Sequence, residues 1–179
     1  MNQLQRFSVV TQLADELRSV GSWSGETHLQ KSTYFLQELF EVDTGYDFIL
    51  YRHGPFSFDL RDDISQLRAN GMVELVLYPP YGPRIQATGY SQEIRHKFPR
   101  TLARVEPAIE FVAQHLGHKD VAQLERLATA LYVLRNAGEE GGMEELAVRV
   151  NQVKPHVSVE EAAVALAEVQ QLQEQAAAV

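Results

Sequence analysis

The sequence of 179 residues contains no cysteine, which excludes disulfide bonds, thiol nucleophiles and cysteine-ligated zinc or iron–sulfur centres. It has no apolar run near the roughly 20 residues that cross a bilayer. Its first residues also lack the basic, apolar and small-residue order of a signal peptide. These absences favour a cytoplasmic protein without a membrane partner.

Catalytic signatures are missing as well. The sequence has no glycine-rich nucleotide loop, no serine-hydrolase elbow and no zinc-protease histidine pair, so we expect no cofactor, no metal and no enzymatic activity. His115 and His118 have a spacing that could begin a metal site, but histidines at a helix end usually bind free carbonyls. Asp59, Asp62 and Asp63 fit the acidic start of a helix better than a cation site.

Acidic side chains outnumber basic ones, with 24 Asp and Glu against 16 Lys and Arg and a net charge of −8. This charge balance argues against binding of nucleic acid through a broad positively charged surface. One segment, residues 94–105, contains basic side chains and no acidic one. The candidate nucleic-acid contacts are Arg84, Arg95, Lys97, Arg100 and Arg104. The alternative is a solvated helix face, the usual explanation for a run of charges.

Three segments rich in aromatic and β-branched residues predict strands: 46–51, 72–78 and 84–88. The dipeptide Gly54-Pro55 predicts a turn after the first strand, and Ser57 predicts the N-cap of a helix over 58–70. The last two strands predict a hairpin with a long tip. We therefore expect one small three-stranded antiparallel sheet over residues 46–88 in a mainly α-helical protein of the α+β class.

Amphipathic patterns predict helices over most of the remaining chain: 3–20, 26–41, 91–98, 106–116, 120–136, 143–152 and 158–174. The helix over 26–41 is apolar over more than half of its circumference, so we expect it to be central. Ser91 predicts one N-cap, and Pro107 predicts the first position of the helix over 106–116.

The glycine- and glutamate-rich residues 138–142 are the one plausible linker. We expect a helical, winged-helix-like domain over 1–137 and a C-terminal helical pair over 138–179 packed on the same core. The alternative is a single domain over 1–179. The apolar faces of the last two helices either complete the core or form a dimer or partner surface, so a homodimer stays open.

A helix followed at once by a hairpin is the order of winged-helix proteins, which use the helix to read DNA and the hairpin tip as a wing. Here the helix over 58–70 carries Arg61 and Arg68 but also three aspartates, which would repel phosphates. We therefore expect a winged-helix-like core, with a DNA-binding transcriptional regulator as the alternative function.

Several phrases of the sequence resemble those of the Panacea family, which is associated with phages and mobile elements: His28–Gln37 (HLQKSTYFLQ), Tyr51–Ser57 (YRHGPFS) and Leu67–Val73 (LRANGMV). The phrases over 124–132 and 154–162 are similar to those of its YwgA-like bacterial relatives in particular. The resemblance implies a non-enzymatic role in binding or neutralising another protein, as an antitoxin or as a proteolytic adaptor for a toxin.

The residues before Gly54-Pro55 form a candidate interaction or anion site, made of Tyr51, Arg52 and His53. The alternative is structural, with Gly54-Pro55 setting the turn while Arg52 or His53 hydrogen-bonds nearby carbonyls or acids. We expect a cytoplasmic, non-catalytic, antitoxin-like domain that binds another protein.

Overall fold

The computed structural model describes residues 1–79, 81–137 and 142–179. Over these ranges the chain forms eight helices: α1 (Gln3–Ser19), α2 (Glu26–Phe40), α3 (Phe58–Ala69), α4 (Gly89–Lys97), α5 (Pro99–Leu116), α6 (Val121–Asn136), α7 (Met143–Val153) and α8 (Val159–Ala176). None of them has both the length and the apolarity needed to span a membrane. The mainly helical α+β class predicted from the sequence is confirmed.

Four short strands form two separate antiparallel pairs in the described ranges: β1 (Ile49–Tyr51) with β2 (Gly54–Phe56), and β3 (Val73–Tyr78) with β4 (Tyr81–Ala87). The predicted three-stranded sheet over 46–88 is therefore wrong. The first strand pairs with its own continuation, because the chain turns at Arg52 and His53 and not at Gly54-Pro55. The predicted order of α3 followed by a hairpin is present.

Helix α2 is central, as predicted. Every residue from 28 to 36 is buried, and α2 contacts α1, α3, α5, α6 and β2. The polar members of this stretch are buried too, among them Gln30 and Lys31. Buried polar groups need hydrogen-bond partners. We therefore expect the polar side chains of α2 to bind other parts of the chain inside the core.

Two helix starts differ from the prediction. Helix α4 is capped by Thr88, whose Oγ1 accepts from the amide of Tyr90 at 3.2 Å, and not by Ser91. Helix α5 begins at Pro99 and contains Pro107 in its interior. Proline removes one helical N–H, but Ala103 and Pro107 are both exposed, so water can bind the carbonyl left without its helical donor.

The apolar side chains of the described residues form one buried cluster that extends from Phe7 to Ala176. Helices α7 and α8 contact each other and α6, and so join this core. The predicted joint falls largely on residues 138–141, outside the described residues, and the division at 138 stays a prediction.

Candidate functional site

The β1–β2 hairpin lies directly against α6. Gly54 has φ of +82°, and a Cβ added there would lie 2.9 Å from Thr129 Oγ1 and 3.4 Å from the Glu125 carbonyl oxygen. Both the left-handed backbone and the lack of space therefore require glycine. With glycine at position 54, the backbone of the hairpin packs more closely against α6 than a residue with a side chain would allow.

Helix α2 holds one side of this hairpin through two consecutive polar residues. Lys31 is 1% exposed, and its Nζ donates to the Pro55 carbonyl at 2.7 Å. The Gln30 side chain donates to the Ser57 carbonyl and accepts from the Ser57 amide, both at 2.9 Å. The segment is therefore fixed to α2 just before α3 begins.

A second buried lysine holds the turn itself. Lys154 follows α7 and is 5% exposed, and its Nζ donates to the carbonyl of Tyr51 at 2.8 Å and to that of Arg52. The same Nζ lies 3.2 Å from Oε1 of the buried Glu125 on α6. The two lysines thus occupy backbone carbonyls on both strands of the hairpin, and Glu125 balances part of their charge.

Two exposed histidines reach Glu125 from outside. His53 Nδ1 lies 3.3 Å from Glu125 Oε2, and His156 Nε2 lies 3.3 Å from Oε1. The contacts at Oε1 have ion-pair distances without the alignment of a hydrogen bond. His53 therefore contacts an acid, as the structural interpretation of the turn expected.

We call Lys31, Glu125 and Lys154 the ion cluster. Burial lowers the pKa of Lys31 to about 8, with the negative charge of Glu125 opposing this shift and the positive charge of Lys154 adding to it. Desolvation is the largest of these causes, as expected for an ammonium group removed from water. The cluster carries two positive charges and one negative charge while both lysines are protonated.

Beside the turn, three aromatic side chains form what we call the aromatic triad: Tyr51, Phe56 and Phe58. Their ring centroids are 5.2 to 5.7 Å apart, and Tyr51 and Phe58 are 43% and 39% exposed. The guanidinium of Arg61 lies 5.0 Å from the centre of the Phe58 ring. Clustered exposed aromatics with arginine are typical of protein-binding surfaces.

Sequence reasoning proposed Tyr51, Arg52 and His53 as a candidate site but assigned no role to the residues that contact this turn. The missed residues are Lys31, Glu125, Lys154 and His156. Each lies in one of the phrases that carry the Panacea and YwgA-like resemblance, and these distant phrases meet at the hairpin. The sequence contained one signal for Lys31, because it is a charged residue within a helix that is predicted to be apolar and central.

The five basic candidates lie on three elements, β4, α4 and α5. Arg95 is bound to Asp15 at 2.7 Å, and Arg84 on β4 lies 4.4 Å from the centre of the Trp23 ring. The remaining three, on α4 and α5, are exposed: Lys97, Arg100 and Arg104.

Two of the other acidic and histidine candidates have structural contacts. His115 contacts the Phe111 carbonyl at 2.8 Å through Nδ1. Asp63 is 3% exposed and accepts from Arg6 at 3.0 Å and from the Tyr46 hydroxyl at 2.8 Å. In the part of the chain that the structure describes, no group of three His, Asp or Glu side chains could hold a metal ion.

Comparison with known proteins adds no family assignment. No protein-family model matches the chain, and no curated protein matches it. The Panacea-like relationship therefore stays a prediction that rests on the phrases quoted above.

Proposed function

We propose that the chain is a non-catalytic, antitoxin-like protein-interaction domain that binds another protein through the aromatic triad. The observation that carries the proposal is the exposure of Tyr51 and Phe58 beside a hairpin whose carbonyls are held by two buried lysines. Exposed aromatics are the usual centres of binding energy. A surface fixed before binding also avoids the cost of ordering it.

The ion cluster supports the same proposal. Lys31 and Lys154 donate hydrogen bonds to backbone carbonyls of the hairpin. These hydrogen bonds stabilise the conformation of the β1–β2 hairpin. The resemblance to antitoxin-like proteins supports a protein partner in the cytoplasm. The alternative partner is a second copy of this chain.

The experiment is capture of partners by the tagged chain from the cells that encode it, quantified by mass spectrometry. The double variant Tyr51→Ser with Phe58→Ser is compared with wild type and with Tyr90→Ser, a control at an aromatic that is 67% exposed elsewhere. We expect a specific protein to be recovered by wild type and control. Its recovery should fall about tenfold or more with the double variant, since losing about 1.4 kcal/mol weakens binding tenfold.

Equal recovery by the double variant, or turnover of a small molecule by the purified chain, would refute the proposal. Thermal unfolding of each variant shows whether a loss of recovery reflects the surface or the fold.

The alternative, a DNA-binding regulator, has weaker support from the structure. Arg95 is occupied by Asp15, and α3 carries Asp59 and Asp62 on its exposed surface. We expect no binding to duplex DNA even at low salt, measured by fluorescence anisotropy. Binding that falls steeply with added salt would instead favour the regulator.

A further inference from the structure

A narrow groove lies between α3 and one face of the β3–β4 hairpin. Its volume is about 180 Å³, close to the roughly 150 Å³ of a cavity that holds benzene. Sites for whole small molecules begin at roughly 300 Å³. The groove therefore has room for one large apolar side chain of a bound segment, and it is too small for most free metabolites.

The hairpin wall of the groove becomes more exposed along β3. Val73, Leu75 and Leu77 alternate along the strand and so share one face, and their exposed fractions are 2%, 36% and 76%. Leu75 pairs with the buried Ile85 of β4, and both line the groove together with the exposed Pro83. The core thus covers the base of this face and leaves its outer part open. Exposed apolar faces with a polar rim are typical of interaction sites.

The α3 wall carries two arginines. Four residues of the helix line the groove from one face, because they lie three or four positions apart: Arg61, Ile64, Ser65 and Arg68. Both arginines are exposed. Arg61 lies 3.4 Å from the carboxylate of its neighbour Asp62, whereas the guanidinium of Arg68 has no ion pair or hydrogen bond with any residue that the structure describes. Arg68 can therefore bind a carboxylate from outside the chain.

The charge of the groove differs from that of the whole chain. The chain has a net charge of −8, but the groove is lined by the two arginines and a single acid, Glu26. Glu26 lies in the first turn of α2, where the helix dipole already favours a negative charge. An acidic segment is therefore attracted to this groove and repelled by the acidic remainder of the surface.

The groove begins beside the aromatic triad. Arg61 lies 5.0 Å from the centre of the Phe58 ring, and the same Arg61 lines the groove. Its side chain therefore joins the two surfaces. A segment that crosses the triad would reach the groove with its following residues.

We propose that this groove binds one acidic segment of the partner protein, with a large apolar side chain in the groove and a neighbouring aspartate or glutamate on Arg68. This inference rests on the proposed function and adds the chemistry of the partner to it. The volume sets a single apolar anchor, the open face of β3 supplies its contacts, and the guanidinium selects an acid because charge-assisted hydrogen bonds to carboxylates are strong.

The test is selection of phage-displayed random peptides on the immobilised full-length chain. Peptides of about 12 residues reach roughly 40 Å when extended, which is enough to cross the triad and the groove. We expect wild type to enrich peptides in which a large apolar residue stands beside, or one residue away from, Asp or Glu. Selection on the charge-reversed variant Arg68→Glu should enrich Lys or Arg in place of the acid.

The most enriched peptide, labelled with fluorescein, is then titrated by anisotropy. Binding should be at least about tenfold weaker for Arg68→Glu, because like charges across an interface are strongly unfavourable, and for Leu75→Lys. Val164→Lys, at a residue of α8 that is 69% exposed, is the control and should bind like wild type. If Leu75→Lys does not fold, Arg68→Glu decides.

The proposal would be overturned if wild type enriched no peptide, if the enriched peptides lacked an acid, or if Arg68→Glu bound as well as wild type. A dimer in sedimentation velocity that Leu75→Lys converts to a monomer would overturn it too, since a second copy would then occupy the groove. Partner capture that depends on Tyr51 and Phe58 but not on Leu75 or Arg68 would refute this inference and leave the proposed function standing.

Discussion

The substitution Lys31→Met isolates the contribution of one buried charge to stability. It keeps most of the aliphatic chain but removes the Nζ that donates to the Pro55 carbonyl at 2.7 Å. The carbonyl is then buried without its donor, which costs about 1–3 kcal/mol. Glu125 keeps its ion pair with Lys154 at 3.2 Å, so the larger penalty of an unpaired buried carboxylate is avoided. At pH 7 the variant also loses the desolvation cost of the buried ammonium, so we expect its stability to lie within about 2 kcal/mol of wild type.

The difference between the two proteins should grow as the pH rises. The pKa of Lys31 falls from 10.5 in the unfolded chain to about 8 in the fold, so between these values the unfolded state binds more protons. Stability of the wild type therefore increases with pH across this window. The full effect is about 3 kcal/mol at about 1.4 kcal/mol per pH unit, and about 2 kcal/mol of it is reached between pH 7 and about pH 9.5.

Urea unfolding of both proteins at these two pH values measures the effect. Burial also raises the pKa of Tyr34 and Tyr46, which lowers stability as the pH passes their unfolded value near 10. The upper pH stays below that value, and both proteins share these tyrosines. We expect wild type to gain about 2 kcal/mol over Lys31→Met. An unchanged or smaller difference at the higher pH would refute the assignment of a buried, desolvated Lys31.

Three further predictions concern the fold and the surface. Gly54→Ala should destabilise by about 2 kcal/mol or more, from its left-handed backbone and the contact with Thr129, whereas Gly89→Ala, with open space around it, should be neutral or stabilising in thermal melts. Asp63→Asn should cost about 1–3 kcal/mol in urea unfolding, because it removes the charge of a buried hydrogen-bonded pair, while the exposed Asp62→Asn should change stability by less than about 0.5 kcal/mol. The double variant of the aromatic triad should lose no more than about 2 kcal/mol of stability while it loses partner capture, since the two substituted side chains are 43% and 39% exposed and only partly packed. The first expectation would be contradicted by equal effects of Gly54→Ala and Gly89→Ala, and the second by equal effects of the two aspartate variants. A triad variant that unfolds would contradict the third.

Local signals predicted the helices well. The helices predicted over 120–136 and 158–174 have Asp120 and Ser158 as their N-caps, because a capping box needs only side chains and backbone groups three residues apart. The β1–β2 hairpin was missed because the local sequence does not reveal how its strands pair. Its second strand is three residues long and begins with Gly54-Pro55, which resembles a turn when its partners are unknown.

The ion cluster could not be derived from local patterns. Lys31, Glu125 and Lys154 are far apart in the sequence, and each is a residue type that is usually exposed. Their burial depends on the packing of α2, α6 and the end of α7 around one hairpin. Only the three-dimensional arrangement shows that Lys31, in an apolar helix, donates a hydrogen bond to the Pro55 carbonyl.

Hydrogen–deuterium exchange of the hairpin tests the central claim most directly, which is that buried lysines fix residues 49–56 as a rigid support for the aromatic triad. The comparison is between wild type, Lys154→Met and the exposed control Lys97→Met. We predict that residues 49–56 exchange about tenfold faster in Lys154→Met alone, for a local loss of about 1.4 kcal/mol, with α1 unchanged. Protection of the hairpin equal to that of wild type would contradict the account.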